Sequence, residues 1–289
     1  MTFALRQSIS VTLPYTCGEL VQGTLDGEDF LVTCPIARYG TISAWLDDSA
    51  APSAMLPPKT RAAVRHLLPA PPQSLHLRLP AALPSGKGLG TSSVDVVGTL
   101  LVLSRLVGRA INGATASRMA LAIEPTDAIA CSGIVLFNHR HGGRQQTLGA
   151  ALPLKIIVVE PPSCIDTVNF NRRARSGGDS GLWRDAVAMI RHGLAVGDAV
   201  AIARAATLSA LHWQRVLYNP WLAPALAWGR AHGALGICRA HSGSALGILF
   251  APGREIAPAG AALRRQIAGH ARVWTTSLAD GGIRNEVWQ

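Results

Sequence analysis

Apolar and polar residues alternate over residues 8–13, and strand-like runs separated by turns follow over 30–33 and 40–46. Three strands are therefore predicted at the start of the chain, the first ended by Pro14. Residues 60–68 carry a helical period that the prolines of 69–72 stop. Leu75, Leu77 and Leu79 fall on one side of a further strand, which leads into a glycine-rich turn over 84–90. A strongly apolar helix is predicted over 92–107 and a second over 114–123, with Pro125 beyond it. Strands follow at 135–138, 145–148 and 155–159, then a polar Arg/Gly stretch over 169–181 that reads as a loop. Helices over 182–195, 198–217 and 221–232 precede two strands, 237–240 and 246–250, that flank another glycine-rich turn. A helix over 260–269 and a strand over 272–276 close the pattern. Strands and helices mix without strict βαβ alternation and without an internal repeat. The expected class is α+β in two lobes, residues 1–150 and 151–289, divided just ahead of the strand at 155.

Composition narrows this picture. Of the 289 residues 48% are hydrophobic and 15% charged, which excludes a disordered or coiled-coil chain. The formal charge of +10 raises the question of nucleic acid, but the cations are scattered. The densest groups are Arg172/Arg173/Arg175 and Arg264/Arg265, not a basic face interleaved with aromatics. No apolar stretch approaches the roughly 20 residues of a membrane span, and no secretory signal core is visible, so a cytoplasmic protein is expected. Cys17, Cys34, Cys131, Cys164 and Cys238 lack ligand or framework spacing and read as buried small hydrophobes. His139 and His141 form an H-x-H expected on one face of a strand, with no third ligand at usable spacing. Trp221 and Trp228 lie seven apart on one helical face and read as packing.

The segment richest in chemistry is Pro84-Ser85-Gly86-Lys87-Gly88-Leu89-Gly90-Thr91-Ser92-Ser93, between a strand and the apolar helix. Its glycines permit close backbone approach, and the amides from Thr91 onward are the unpaired donors of a helix start, suited with the helix dipole to phosphate. The hydroxyls of Thr91, Ser92 and Ser93 and the cation of Lys87 add to it. The segment is not a Walker A loop, since Gly88 follows Lys87, and it lacks the third glycine and the ribose acid of a dinucleotide fingerprint.

Pro84-x-x-x-Gly88-Leu89-Gly90-Thr91-Ser92-Ser93 resembles the phosphate loop of the GHMP kinases. Pro14-Tyr-Thr-Cys-Gly-Glu-Leu20 stands where that family has its first motif. His241-Ser-Gly-Ser-Ala-Leu-Gly247 resembles its third, and order and spacing agree across nearly the whole chain. Cys17-Gly-Glu-Leu-Val-Gln-Gly23, Ile123-Glu-Pro-Thr-Asp127 and Ala240-His-Ser-Gly-Ser244 are most similar to the branch that phosphorylates L-threonine for the aminopropanol linker of cobalamin. The resemblance implies an N-terminal lobe like ribosomal protein S5 domain 2, a ferredoxin-like C-terminal lobe, and ATP with Mg²⁺ as cofactors. The expected partner is a small-molecule amino-acid or alcohol substrate. A homodimer is compatible with the family, and neither nucleic acid nor membrane is expected.

The resemblance also assigns roles. Ser92 takes the hydroxyl position that binds Mg²⁺ in relatives, and Glu124 is the nearest carboxylate for that ion. An acid at a helix C-terminus is disfavoured by the dipole, so Glu124 calls for a bound cation or a neighbouring Arg. Asp127 matches the catalytic aspartate of mevalonate and galactose kinases with spacing one or two residues shorter, as a base or aligner of the hydroxyl; a turn acid after Pro125 is the alternative. Glu19 suits a substrate ammonium or else a surface Arg. Ser242, Gly243 and Ser244 form the third motif beneath the phosphate loop, near substrate, and Arg140 and Arg239 are conceivable partners for a substrate carboxylate.

Overall fold

The computed structural model describes residues 8–47, 55–80, 83–162, 180–240 and 243–288. Most of the Arg/Gly loop, with Arg172, Arg173 and Arg175, lies outside them, as do Cys164, His241 and Ser242. Two long strands, β1 (Ile9–Leu25) and β2 (Glu28–Leu46), form an antiparallel hairpin at the centre of a ten-stranded sheet. Pro14 does not end the first strand, and the segments at 30–33 and 40–46 are parts of one strand. Pro14 sits opposite Tyr39 at the last regular pair before the register slips between Pro14 and Thr16, again before Glu19 and again before Val21. A proline lacks the donor for a regular ladder, so it is tolerated where the ladder is already breaking. That break frees the backbone of β1 for another partner, described below.

The remaining strands are β3 (Leu75–Arg78), β4 (Ile134–Phe137), β5 (Gln145–Gly149), β6 (Lys155–Glu160), β7 (Gly236–Arg239), β8 (Leu246–Phe250), β9 (Arg272–Ser277) and β10 (Glu286–Trp288). The order is β5-β4-β2-β1-β7-β8-β6-β9, with β10 on β1 and β3 on β2. β1 meets β7 through one pair, Glu19 opposite Arg239.

Seven helices complete the described residues: α1 (Pro58–Leu67), α2 (Thr91–Leu106), α3 (Gly113–Ala120), α4 (Ser180–Val196), α5 (Ala199–Trp213), α6 (Leu222–Ala231) and α7 (Ala257–Gln266). Helix α2 is apolar nearly all round because it is buried nearly all round. Val94, Val96, Val97 and Leu100 to Leu103 are fully enclosed in the main core with Val11, Leu13 and Ile42 of the hairpin. A second apolar cluster joins Ile157, Ile237, Ile248 and Phe250 of the C-terminal strands to Leu222 and Leu263 of α6 and α7. Trp221 and Trp228 pack against that cluster, as the helical spacing suggested. The four described cysteines are buried thiols, none of them in a disulfide.

Candidate active site

The register break in β1 is where the phosphate-loop candidate attaches. The Thr16 amide donates to the Leu89 carbonyl at 3.0 Å and the Gly18 amide to the Gly88 carbonyl at 2.9 Å. From the opposite side, the Ala245 amide donates to the Lys87 carbonyl at 3.0 Å. Residues 87–89 therefore run between the segments of the first and third motifs, held by backbone hydrogen bonds. Such closeness needs small residues. A Cβ on Gly88, where φ is +77°, would stand 2.1 Å from the Ala240 Cβ, and one on Gly243 would stand 2.3 Å from the Gly88 nitrogen.

A cleft of about 830 Å³ opens over this loop. Two helix starts face it. Gly90, in the left-handed conformation, is the N-cap of α2, and the first helical bond runs from the Val94 amide to the Gly90 carbonyl at 2.9 Å. That leaves the amides of Thr91, Ser92 and Ser93 ahead of it without a helical carbonyl. Helix α1 begins at Pro58 on the facing wall, and Pro57 to Thr60 line the cleft. The positive ends of two helix dipoles and a row of amides suit an anionic ligand.

The hydroxyls at the start of α2 divide between two carboxylates. Ser92 Oγ donates to Glu124 Oε1, and the Lys59 ammonium donates to Glu124 Oε2 at 2.5 Å and to Ser92 Oγ at 3.3 Å. The cation that Glu124 calls for is thus a lysine from α1, not an arginine. Ser93 Oγ accepts from the Thr126 hydroxyl at 3.1 Å and from the Asp127 amide at 3.2 Å, and donates to Asp127 Oδ2 at 3.2 Å. The Thr126 amide is tied in turn to the His139 carbonyl at 3.3 Å. A short segment after α3 thereby sets Asp127 beside the phosphate loop.

Electrostatics sharpen the role of these acids. Asp127 keeps some exposure to the cleft, yet desolvation pushes its carboxyl up to about 7. The nearby Glu19 charge and, less strongly, Glu124 add to this, while the Ser93 hydrogen bond opposes it. Asp95, one turn into α2 and also on the cleft wall, is pushed up to about 6 by burial and by Glu124. Glu19 is buried, lines the cleft and stands opposite Arg239. The Arg239 guanidinium is fully enclosed, donating to Gln214 Oε1 at 3.0 Å and to the Leu217 carbonyl at 2.9 Å. Burial lowers its pKa to about 10 against the opposing effect of Glu19, so it remains a cation at neutral pH.

Several sequence candidates stand elsewhere. The Lys87 ammonium is buried and donates to the carbonyls of Pro161 at 2.5 Å and Pro162 at 2.7 Å, so its side chain braces the loop against the end of β6. Arg239 lies behind Glu19, and Arg140 pairs with Asp29 at 2.9 Å; neither lines the cleft. Ser244 is buried, its carbonyl accepting from Asn219 Nδ2 at 3.1 Å. His139 and His141 do not share a strand face. They lie in the turn after β4, His139 buried on the cleft wall and His141 exposed. Among the described residues no cluster of three or more His, Cys, Asp or Glu could hold a metal on its own. Reading the sequence missed Lys59, Asp95 and Arg272, all of which line the cleft.

The chain matches the family description "GHMP kinases N terminal domain" over residues 59–133 and "GHMP kinases C terminal" over residues 190–269. It is similar to an L-threonine kinase of Citrobacter freundii, 30% identical, with 82% of this chain and 84% of the relative covered. It is likewise similar to an L-threonine kinase of Salmonella typhimurium, 27% identical over 82% and 81%. Among solved structures, a homoserine kinase from Cytophaga hutchinsonii shares the fold with a TM-score of 0.74, at 15% identity over 99% of each chain. No helix of the described residues is long and apolar enough to cross a membrane.

Proposed function

This chain belongs to the GHMP kinases, and on that premise we propose that it transfers the γ-phosphate of ATP to the side-chain hydroxyl of L-threonine, giving O-phospho-L-threonine. The observation that carries the reading is the Ser93 hydroxyl, which stands in the first turn of α2 and at the same time holds the Asp127 carboxylate. Phosphate cradle and candidate base are thereby one rigid unit, which phosphoryl transfer needs, since it is mainly positioning and charge neutralisation.

In this reading residues 86–93 and the start of α2 hold the nucleotide phosphates with backbone amides. Asp127 accepts the proton of the threonine hydroxyl; a carboxyl near 7 is matched to that task at neutral pH. Ser93 fixes which oxygen of Asp127 faces the substrate. Glu19 and Asp127, acids on one cleft whose charges oppose each other, favour a ligand that brings a positive group, as an amino acid does with its ammonium. Arg272, exposed at the start of β9 on the cleft wall and 3.8 Å from Glu160, is a cation accessible to an anionic group of substrate or nucleotide. Ser92 Oγ and the Glu124 carboxylate are hard oxygen donors already gathered around a cation, Lys59, and this donor set fits Mg²⁺. When bound, that ion would neutralise phosphate charge. The division into lobes at residue 150, the cytoplasmic setting and a role in making the cobalamin linker belong to the same proposal.

ADP release measured against L-threonine, homoserine, serine, ethanolamine phosphate and a sugar tests it. Threonine is expected to rank first. Homoserine above threonine would move the chain to another acceptor. Absence of turnover on every acceptor, together with retention on nucleic acid at about 150 mM salt, would point to a non-catalytic regulator.

A further inference from the structure

The Lys59 ammonium is bonded to the same two groups, Ser92 and Glu124, that fit a divalent cation. Ser92 has a single hydroxyl proton, and it is given to Glu124 Oε1, so the serine lone pairs are what face the lysine. Glu124 is largely enclosed, its side chain 11% exposed, while that of Lys59 is 36% exposed. The acid is therefore fixed in the wall, and the lysine is the member free to move. Its backbone is anchored at the second residue of α1, on the cleft wall facing the phosphate loop, and its stem has four rotatable carbons.

We propose that Lys59 is an exchangeable counter-ion of the cation site. Without ligand it neutralises Glu124 and holds Ser92; when a divalent ion takes those oxygens, the ammonium leaves them and becomes a ligand of the nucleotide phosphates. Two cations cannot share one carboxylate and one hydroxyl without strong repulsion, so binding of the ion and departure of the ammonium are linked. The destination follows from what else lines the cleft: the acids Glu19, Asp95 and Asp127 are its own anions, but an incoming phosphate held at the two helix starts brings the larger negative charge. The residue type fits the role. All but three of the 27 cations in this chain are arginine, yet this position carries a lysine. A guanidinium would grip Glu124 in a planar fork and resist release, whereas an ammonium is a compact charge that can change partners.

The inference rests on the proposed nucleotide site, and its test separates the two. Wild-type protein and Lys59→Met are compared in two titrations without acceptor: free Mn²⁺ into nucleotide-free protein, followed by electron paramagnetic resonance, and ADP into protein saturated with Mg²⁺, followed by calorimetry. Loss of the competing ammonium should tighten Mn²⁺ binding about fivefold or more, a modest coupling between sites. Loss of a charged phosphate contact should weaken ADP binding at saturating Mg²⁺ about tenfold or more. Both shifts are required, and Mn²⁺ affinity that is unchanged or weakened, or ADP affinity that is unchanged, overturns the exchange. If wild-type protein binds ADP neither with nor without Mg²⁺, the nucleotide-site reading itself falls. A measurement on the unmutated chain guards against a folding artefact. With only Lys59, Lys87 and Lys155 to assign, ¹⁵N-lysine spectra should show one ammonium resonance moving as Mg²⁺ is added before nucleotide. No movement of the Lys59 signal would also overturn the proposal.

Discussion

The Ser93 hydroxyl donates to Asp127 Oδ2 at 3.2 Å while accepting from the amide of that same residue at 3.2 Å. One hydroxyl therefore sets both the backbone and the carboxylate of the candidate base. It also opposes the burial and the neighbouring acid charges that push this carboxyl up to about 7. Ser93→Ala should lower turnover about tenfold or more, the scale of a lost hydrogen bond to a charged group. It should also move the acid limb of the kcat/KM profile to higher pH, since the cause that lowers the Asp127 pKa is gone. An unmoved limb would mean that this bond does not act on the titrating group.

Asp127→Asn separates chemistry from folding. Turnover should fall about 10²-fold to 10⁴-fold while nucleotide still binds, because a neutral amide cannot take the hydroxyl proton. Stability should change in the opposite sense. The folded pKa lies above the unfolded one, so the stability this carboxyl contributes is complete below about 4 and is lost as pH rises through about 7. The variant has no such group, and its thermal midpoint should exceed that of the wild type by a few degrees at pH 8.5 and by little at pH 5. Equal differences at both pH values would contradict the raised pKa.

Gly88 and Ala240 test how the motifs are clamped together. Gly88→Ala places a Cβ 2.1 Å from the Ala240 Cβ at a φ of +77°, so it meets both a clash and backbone strain. A loss of about 2–4 kcal/mol in denaturant unfolding is expected, with nucleotide affinity reduced in step. Ala240→Gly in the same chain removes the clash and leaves the strain, so it should restore part of the loss. Strictly additive effects would show that the two positions do not meet as described.

What was legible in the sequence followed from local physics. Helix α2 and its phosphate-loop start could be read because glycines, hydroxyls and an unbroken apolar run lie together within about twenty residues. Family resemblance then put Ser92, Glu124 and Asp127 in one site, and the fold brings them to one cleft. Lys59 escaped because its partner Glu124 is 65 residues away and nothing in a periodic pattern links them. Arg272 escaped for the same reason, being carried to the cleft only by the pairing of β9 on β6. Pro14 misled because a strand that abandons its ladder to bond the phosphate loop tolerates a residue that a regular strand would not. Lys87, next to the glycines in sequence, is drawn instead to two carbonyls at the end of β6, partners that spacing cannot reveal.

Glu19 offers the sharpest test of the substrate class. Its charge helps to hold the Asp127 pKa up, and it faces the buried Arg239 across the strand pair that joins the two halves of the sheet. Glu19→Gln should have three separable consequences. The acid limb of kcat/KM should shift to lower pH, because one cause of the raised Asp127 pKa is removed. The KM for L-threonine should rise about tenfold or more while that for ATP stays within about twofold, if the carboxylate receives the substrate ammonium. An acceptor with the same hydroxyl and no amine, such as 3-hydroxybutyrate, should then discriminate poorly between the two proteins. Stability should drop as well, since the enclosed Arg239 loses a facing charge, and unfolding measured alongside keeps that loss apart from the binding effect. A shifted pH limb with an unchanged threonine KM would leave Glu19 as the electrostatic partner of Asp127 and Arg239, and would require the ammonium to be received elsewhere in the cleft.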